Sequence, residues 1–318
     1  MLLNSQSTSR LDAEEVGAFF QSLVDIETQI DREFDLSDYP FAEGSICPLN
    51  IQNKPWAKTW RYRWLRHIGQ FKLIRNYTTD LPEVEVVYGE MEMPIYKWGQ
   101  GYSVSEDDIA AVSRMGESIE QEKIFAVQES AQQKLNTLIA NGDLETGSPG
   151  FLDHPQALRS FAPYPLNGSA TSQQKLEVLN DCANASARLT NGREKPDVLL
   201  MDTETYQHLS SDIIQIGSTA LNRTVLEHFL TTNPYIKEIG VVNEMSPDYL
   251  EQMGFPRKRF IQAYKRDPQK VAARIYQPLK WTDTRPIGVD AFWRGAKFKF
   301  GFIDLKRPFS MHVSVLPE

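Results

Sequence analysis

An α+β fold is predicted by three features of this 318-residue chain. Two consecutive stretches alternate apolar and charged residues far enough to make long strands. A single helical pattern follows that is too long for a compact domain, and the remainder mixes helical and strand patterns before closing on further strands. With 41% hydrophobic and 24% charged residues the chain has the composition of a packed globular protein, and its length suggests two domains or one domain with an insertion. No stretch approaches the ~20 apolar residues needed to span a bilayer. The start MLLNSQSTSRLDAEE lacks the basic-then-apolar pattern of a signal peptide. The expectation is a soluble protein made in a cytoplasm, with no membrane partner.

The elements follow in order. Residues 12–34 carry Val16, Phe19, Phe20, Leu23, Val24, Ile26 and Ile30 at helical spacing, an amphipathic N-terminal helix. The next stretch, FDLSDYPFAEGSICPLNIQNKPW, holds three prolines and no period, and reads as an extended arm lying on something else. From Lys54 to Arg75 the chain carries Lys54, Lys58, Arg61, Arg63, Arg66, Lys72 and Arg75 and no acid. Asp80, Glu83, Glu85, Glu90 and Glu92 then reverse the sign. Trp60, Tyr62 and Trp64 share one strand face and Arg61 and Arg63 the other, while Val84, Val86 and Tyr88 oppose Glu83 and Glu85. The spacing predicts a hairpin joined near Thr78–Pro82, with a bulge at Gly89, where the apolar parity passes to Met91, Met93 and Ile95. The charges have two readings. The basic and acidic strands pair with each other across the hairpin, or a ribbon ~60 Å long, with too little surface for its own core, is held by neighbouring subunits.

Ser105 and Asp108 make a capping box, and Ile109, Val112, Met115, Ile119, Phe125, Val127, Ala131, Leu135 and Leu138 continue a helical pattern to Asn141-Gly142. Gly116 is a candidate kink. At 1.5 Å per residue such a helix is ~50 Å long; without sustained heptads or a lipid-compatible face it is a strut. After the turn GDLETGSPGFLDHP a mixed α/β unit is expected. Its helices lie at Gln173–Leu189, Thr203–Leu209 and Thr224–Thr231, and its strands at Asp197–Met201, Ile236–Val242 and Arg259–Tyr264. Val271–Tyr276, Lys297–Ile303 and Met311–Leu316 alternate in parity and predict one half-buried antiparallel sheet.

Few residues are arranged for chemistry. The histidines at 67, 154, 208, 228 and 312 have no metal-ligand spacing. Cys47 and Cys182 stand alone, with no disulfide framework, metal site or context for activation. Gly142–Gly147 imitates the start of a phosphate loop, but Ser148-Pro149 replaces the required lysine and a helix precedes it where a strand should. Asp202 and Glu204 follow the apolar strand VLLM, where α/β enzymes keep catalytic carboxylates; the alternative is that Asp202 or Thr203 caps the next helix. The aromatic and basic strand from Trp60 to Arg66 suits either stacked bases or an assembly contact. A net charge of −8 argues against tight nonspecific binding to nucleic acid.

The order arm, hairpin, long helix, glycine turn, inserted α/β domain and returning strands resembles the Hong Kong 97-type major capsid proteins of tailed phages. The stretch IGQFKLIRNYTTDLPEVEVVYGEMEMPIYKWGQGYSVSEDDIAAV is similar to the hairpin-to-spine junction of one branch of that family. KIFAVQESAQQKLNTLIANGDLETGSPGFLDHP is similar to its spine end and following turn. TVLEHFLTTNPYIKEI and KFKFGFIDLKRPFSMHV are similar to its axial domain and last peripheral strands.

The resemblance implies the Hong Kong 97-type capsid fold: N-terminal helix and arm at 1–52, an extended β-hairpin loop at 53–102, peripheral domain, spine helix and glycine turn at 103–165, an inserted axial α/β domain at 166–270 and returning peripheral strands at 271–318. It implies a structural protein with no enzyme activity and no cofactor, forming hexamers and pentamers of itself around double-stranded DNA that it does not read, in a virion made in the bacterial host cytoplasm. A scaffolding protein, a portal and a cement or decoration protein are the other expected partners. A separate scaffold is expected because only about forty residues precede the arm, and no Lys and Asn pair for a covalent crosslink is identified. The expected inter-subunit contacts are Trp60, Arg61, Tyr62, Arg63, Trp64 and Arg66 on the basic strand and Glu83 and Glu85 on the acidic one, with the basic strand lying over Glu106, Asp107, Glu117 and Glu120 of an adjacent spine. An encapsulin-like nanocompartment shell, and a soluble α/β hydrolase or nuclease using Asp202 and Glu204, are the rival readings.

Overall fold

The computed structural model describes residues 39–68, 83–105, 119–167, 169–216, 219–288 and 290–317. The expected helix at 12–34, the tip of the hairpin and the first part of the spine, with Gly116 and Asp108 of the capping box, lie outside the described residues, while Ser105 ends a strand.

Pro40 opens one helical turn, α1 (Pro40–Glu43), and Gly44 stops it in the left-handed region at φ 82°. Strand β1 (Leu49–Ile51) follows. The arm lies on its own subunit, since Phe41, Ile46 and Cys47 are buried in the main core. Asn136, far along the chain, accepts hydrogen bonds from the backbone N–H groups of Phe41 at 2.9 Å and Ala42 at 3.4 Å. These donors would otherwise be orphaned at a helix start.

The alternating stretches form β2 (Thr59–Ile68) and β3 (Glu85–Pro94), paired antiparallel without a break from Thr59↔Pro94 through Trp64↔Gly89 to Ile68↔Glu85. The expected bulge at Gly89 is therefore absent. The parity change is met another way: apolar residues occupy one face near the base (Trp60, Tyr62, Met91, Met93) and the other face further out (Val86, Tyr88). Gly89 stands at the crossing with no side chain on either, so no inserted residue is needed.

Strand β4 (Tyr96–Ser105) then leaves the ribbon, and helix α2 (Ile119–Ala140) is the described part of the spine. The glycine turn is a small hairpin of β5 (Gly142–Asp143) and β6 (Ser148–Pro149), followed by β7 (Leu158–Phe161). The inserted unit runs through α3 (Ser172–Leu189), β8 (Val198–Met201), α4 (Thr203–Ser211), β9 (Ile213–Ile216), β10 (Thr219–Thr224), α5 (Val225–Thr232), β11 (Glu238–Val241), α6 (Pro247–Gln252) and β12 (Arg259–Tyr264). The chain closes with β13 (Val271–Trp281), β14 (Arg285–Ile287), β15 (Ala291–Leu305) and β16 (Met311–Leu316). Helix starts follow local rules: Thr171 and Thr224 make capping boxes with Gln174 and Glu227.

Two main sheets result. The first has the order β1-β13-β15-β14, with β4 also on β15; the second has the order β11-β8-β12-β16-β7. The expected single sheet of closing strands is thus wrong in one member. β13 and β15 do pair antiparallel, but β16 crosses to the second sheet and lies between β12 and β7. The reason is burial on two faces. Met311 and Val313 enter the main core with the arm and the end of α2, while Leu316 faces α3 and α5. β8 divides likewise, with Val198 and Leu200 on one side and Leu199 and Met201 on the other. The central strands β8, β12 and β16 are sandwiched between the two cores, and β8 reads as the continuous apolar run VLLM.

Candidate assembly surface

The ribbon β2–β3 leaves the body with no hydrogen-bonded strand partner but itself among the described residues. Its base is fastened. The Trp60 ring stacks on Tyr62 with centroids 5.2 Å apart and lies 4.6 Å from Phe302 of β15. The Arg274 guanidinium sits 4.8 Å from the Trp60 centroid and is itself held by Asp304 through bonds of 2.9 and 2.6 Å. Ring faces attract such cations, and the carboxylate fixes this one in place.

Further out the ribbon is bare. Tyr88 is 76% exposed and Val84 69%, with Ile68 about half exposed. Adjacent large apolar side chains left in water mark a surface awaiting a cover. The charges of the ribbon are unequal in their partnering. Arg61 meets Glu90 at 2.7 Å and Glu92 at 3.8 Å, and Arg63 meets Glu90 at 3.3 Å. The cross-strand reading of the charge blocks therefore holds for these four residues. Glu83 and Glu85 are exposed and have no basic partner among the described residues. Trp64 and Arg66 take their places in the β2–β3 register opposite Gly89 and Val87. Glu120 lies in the first turn of α2, whereas Glu106, Asp107 and Glu117 fall outside the described residues.

The residues singled out as possible chemistry are otherwise employed. Asp202 is the N-cap of α4, accepting from the Thr205 N–H at 3.2 Å. Glu204 is drawn to Arg259 at 2.8 Å, with His208 at 3.8 Å. In the glycine turn the Asp143 carboxylate accepts from Lys134 and from the Thr146 N–H at 2.9 and 3.0 Å. Burial would raise its pKa, but these bonds outweigh that and hold it below the usual carboxylate range. Burial pushes the thiols of Cys47 and Cys182 up to about 12, the setting of inert thiols. His154 is driven down to about 4 by burial and by nearby Arg159. No cluster of three or more His, Cys, Asp or Glu suited to a metal occurs among the described residues.

One feature had no signal in local sequence. Lys97, Lys280, Lys297 and Lys299 converge on one face of the first sheet, because β4, β13 and β15 bring them into register.

A family model described as major capsid protein matches residues 69–313. Among solved structures, the capsid of Myoviridae phage XM1 is similar over 88% of this chain and 92% of that one, with a TM-score of 0.71 at 15% identity. The capsid of a native GTA particle is similar over 87% and 90%, with a TM-score of 0.58 at 8% identity. A structure from Mycobacterium phage Adephagia is similar over 84% and 88%, with a TM-score of 0.55 at 13% identity. At these identities the likeness is one of fold. No curated protein sequence matches.

Proposed function

The chain belongs to the major capsid protein family and has the fold of tailed-phage capsid subunits, and from that premise we propose that it tiles the icosahedral head of a tailed bacteriophage as hexamers and pentamers around packaged double-stranded DNA. One observation carries the reading beyond family membership. The outer ribbon presents Val84 and Tyr88 to water on a two-strand element that has no core of its own. Covering such surface contributes roughly 25 cal/mol per Å², and in a shell every copy both gives and receives that cover.

In this reading the virion is the protein's destination. A scaffold, a portal and a cement or decoration protein are its further partners, and the DNA is enclosed without being read. The divisions of the fold then take the roles of loop (53–102), peripheral domain (103–165 with 271–318) and axial domain (166–270). The contact set is Trp60, Arg61, Tyr62, Arg63, Trp64, Arg66, Glu83 and Glu85, with Glu106, Asp107, Glu117 and Glu120 of the adjacent spine facing the basic strand. Trp60 contributes mainly by fixing the ribbon's base, and Arg61 and Arg63 reach a neighbour while already holding Glu90.

Electron microscopy of the expressed full chain, with and without a co-expressed scaffolding protein, tests the proposal. Closed shells of uniform diameter are expected for the wild-type chain and their loss for Arg61→Glu with Arg63→Glu. Dispersed subunits in the presence of scaffold would overturn the shell reading. Undiminished shells from the double reversal would remove the basic strand from the contact set.

A further inference from the structure

The first sheet carries an arrangement that a lone subunit does not explain. Lys97 of β4 stands directly opposite Lys299 of β15, and Lys280 of β13 directly opposite Lys297 of β15. Like charges facing each other across strands destabilise a sheet. Here two such pairs share a face and open into a cavity of about 590 Å³ whose lining contains no acid. Lys299 is partly accommodated, donating to the carbonyl oxygens of Pro55 and Ala57, the latter at 3.2 Å. Lys97, Lys280 and Lys297 have no carboxylate partner among the described residues. The hydroxyl of Tyr276, also in the lining, is buried without a hydrogen-bond partner. Such a cavity calls for an anion with some apolar body beside it, because Pro278 and Leu279 complete the wall.

We propose that this lysine cavity receives the acidic strand of a second copy's ribbon, with Glu83 and Glu85 as the ligands. Three observations select that occupant. Among the described residues those glutamates are the ribbon's acids without a basic partner, whereas Glu90 and Glu92 are taken by Arg61 and Arg63. Ile68, paired with Glu85 across the ribbon and therefore on the same face, is about half exposed and matches the apolar wall. The third is reach. The cavity lies at the ribbon's own base, lined by Asn53, Pro55 and Lys97, while Glu85 is at the far end of a strand paired continuously from Pro94. At ~3.4 Å per residue that places Glu85 ~30 Å outward, beyond reach of its own lysines. The donor ribbon and the receiving face are different patches, so the contact is heterologous, the kind that closes into rings.

This inference rests on the shell reading, and its test separates the two. Assembly is followed without DNA, so that phosphate cannot supply the negative charge, using chains bearing Lys97→Glu with Lys280→Glu, Glu83→Lys with Glu85→Lys, or all four changes. Thermal unfolding of the unassembled subunits verifies that each chain folds. Each reversed pair is expected to lower shell yield about tenfold, a loss of one unit in log assembly constant per contact or more. The fourfold exchange is expected to restore it. Wild-type shells together with unaffected reversals, or a fourfold chain no better than the pairs, would overturn this contact alone. A wild-type chain that forms no shells would overturn the shell reading and this contact with it.

Discussion

Gly142 and Gly147 flank the turn after the spine with φ of 84° and 66°, conformations costly for any residue with a Cβ. They differ in surroundings. A Cβ at Gly142 would run into the Ser148 carbonyl and the Gly150 nitrogen, whereas one at Gly147 meets nothing within 4 Å. Gly147→Ala should therefore cost only the backbone penalty of about 1 kcal/mol. Gly142→Ala should cost at least about 2 kcal/mol more, since the tight β5–β6 turn must open. Urea unfolding of unassembled subunits measures both, and equal losses would refute the packing explanation. Legibility at this scale followed the range of the interaction. The cap at Asp202 was readable because its partner is three residues away. The lysine face was not, because Lys97 joins Lys280 and Lys297 only through the pairing of β4 with β15, where Lys97 meets Lys299 from the far end of the chain.

The ribbon shows the same division at the level of elements. Alternation around Trp60 and Tyr88 was enough to foresee two paired strands, and Arg61 with Glu90 was foreseeable as a cross-strand pair. The parity shift at Gly89 was misread as a bulge because sequence does not reveal which face is covered, and here the covered face changes along the ribbon. β16 is misplaced for a related reason: Met311, Val313 and Val315 alternate with His312 and Ser314 as in a half-buried strand, yet His312 and Ser314 are buried as well. β9, β10 and β14 are short, and β7 ends in the exposed Phe161, so none produced a readable pattern. The fastening of the ribbon is a separate matter from its cover. Trp60→Ala removes the contact with Phe302 and leaves Arg274 without its ring, which should loosen the ribbon's base while the two cores stay intact. Hydrogen exchange should show faster exchange over 59–68 and 85–94 and little change in β8 or β12. Uniform acceleration across the chain would mean that Trp60 belongs to the global core.

Across the whole molecule, the second sheet ties the two cores together, and ion pairs to a buried carboxylate reinforce the join. Glu194, just after α3, is held by Lys270 and by Arg307 at 2.8 Å, so the inserted unit is bonded to the returning chain on both sides of β13 and β15. Burial alone would raise the Glu194 pKa, but those two cations and their hydrogen bonds hold it low. A body joined in this way is firm, and the ribbon that leaves it is not enclosed by it. The order of elements was legible from sequence because length and periodicity are local properties. The identity of what covers the ribbon was not, because its partner is another molecule. A cryo-electron microscopy reconstruction of assembled particles tests this most directly. The ribbon should lie across an adjacent subunit, with Tyr88 and Val84 buried there. Closed particles in which each ribbon folds against its own subunit, or stands free in solvent, would contradict it.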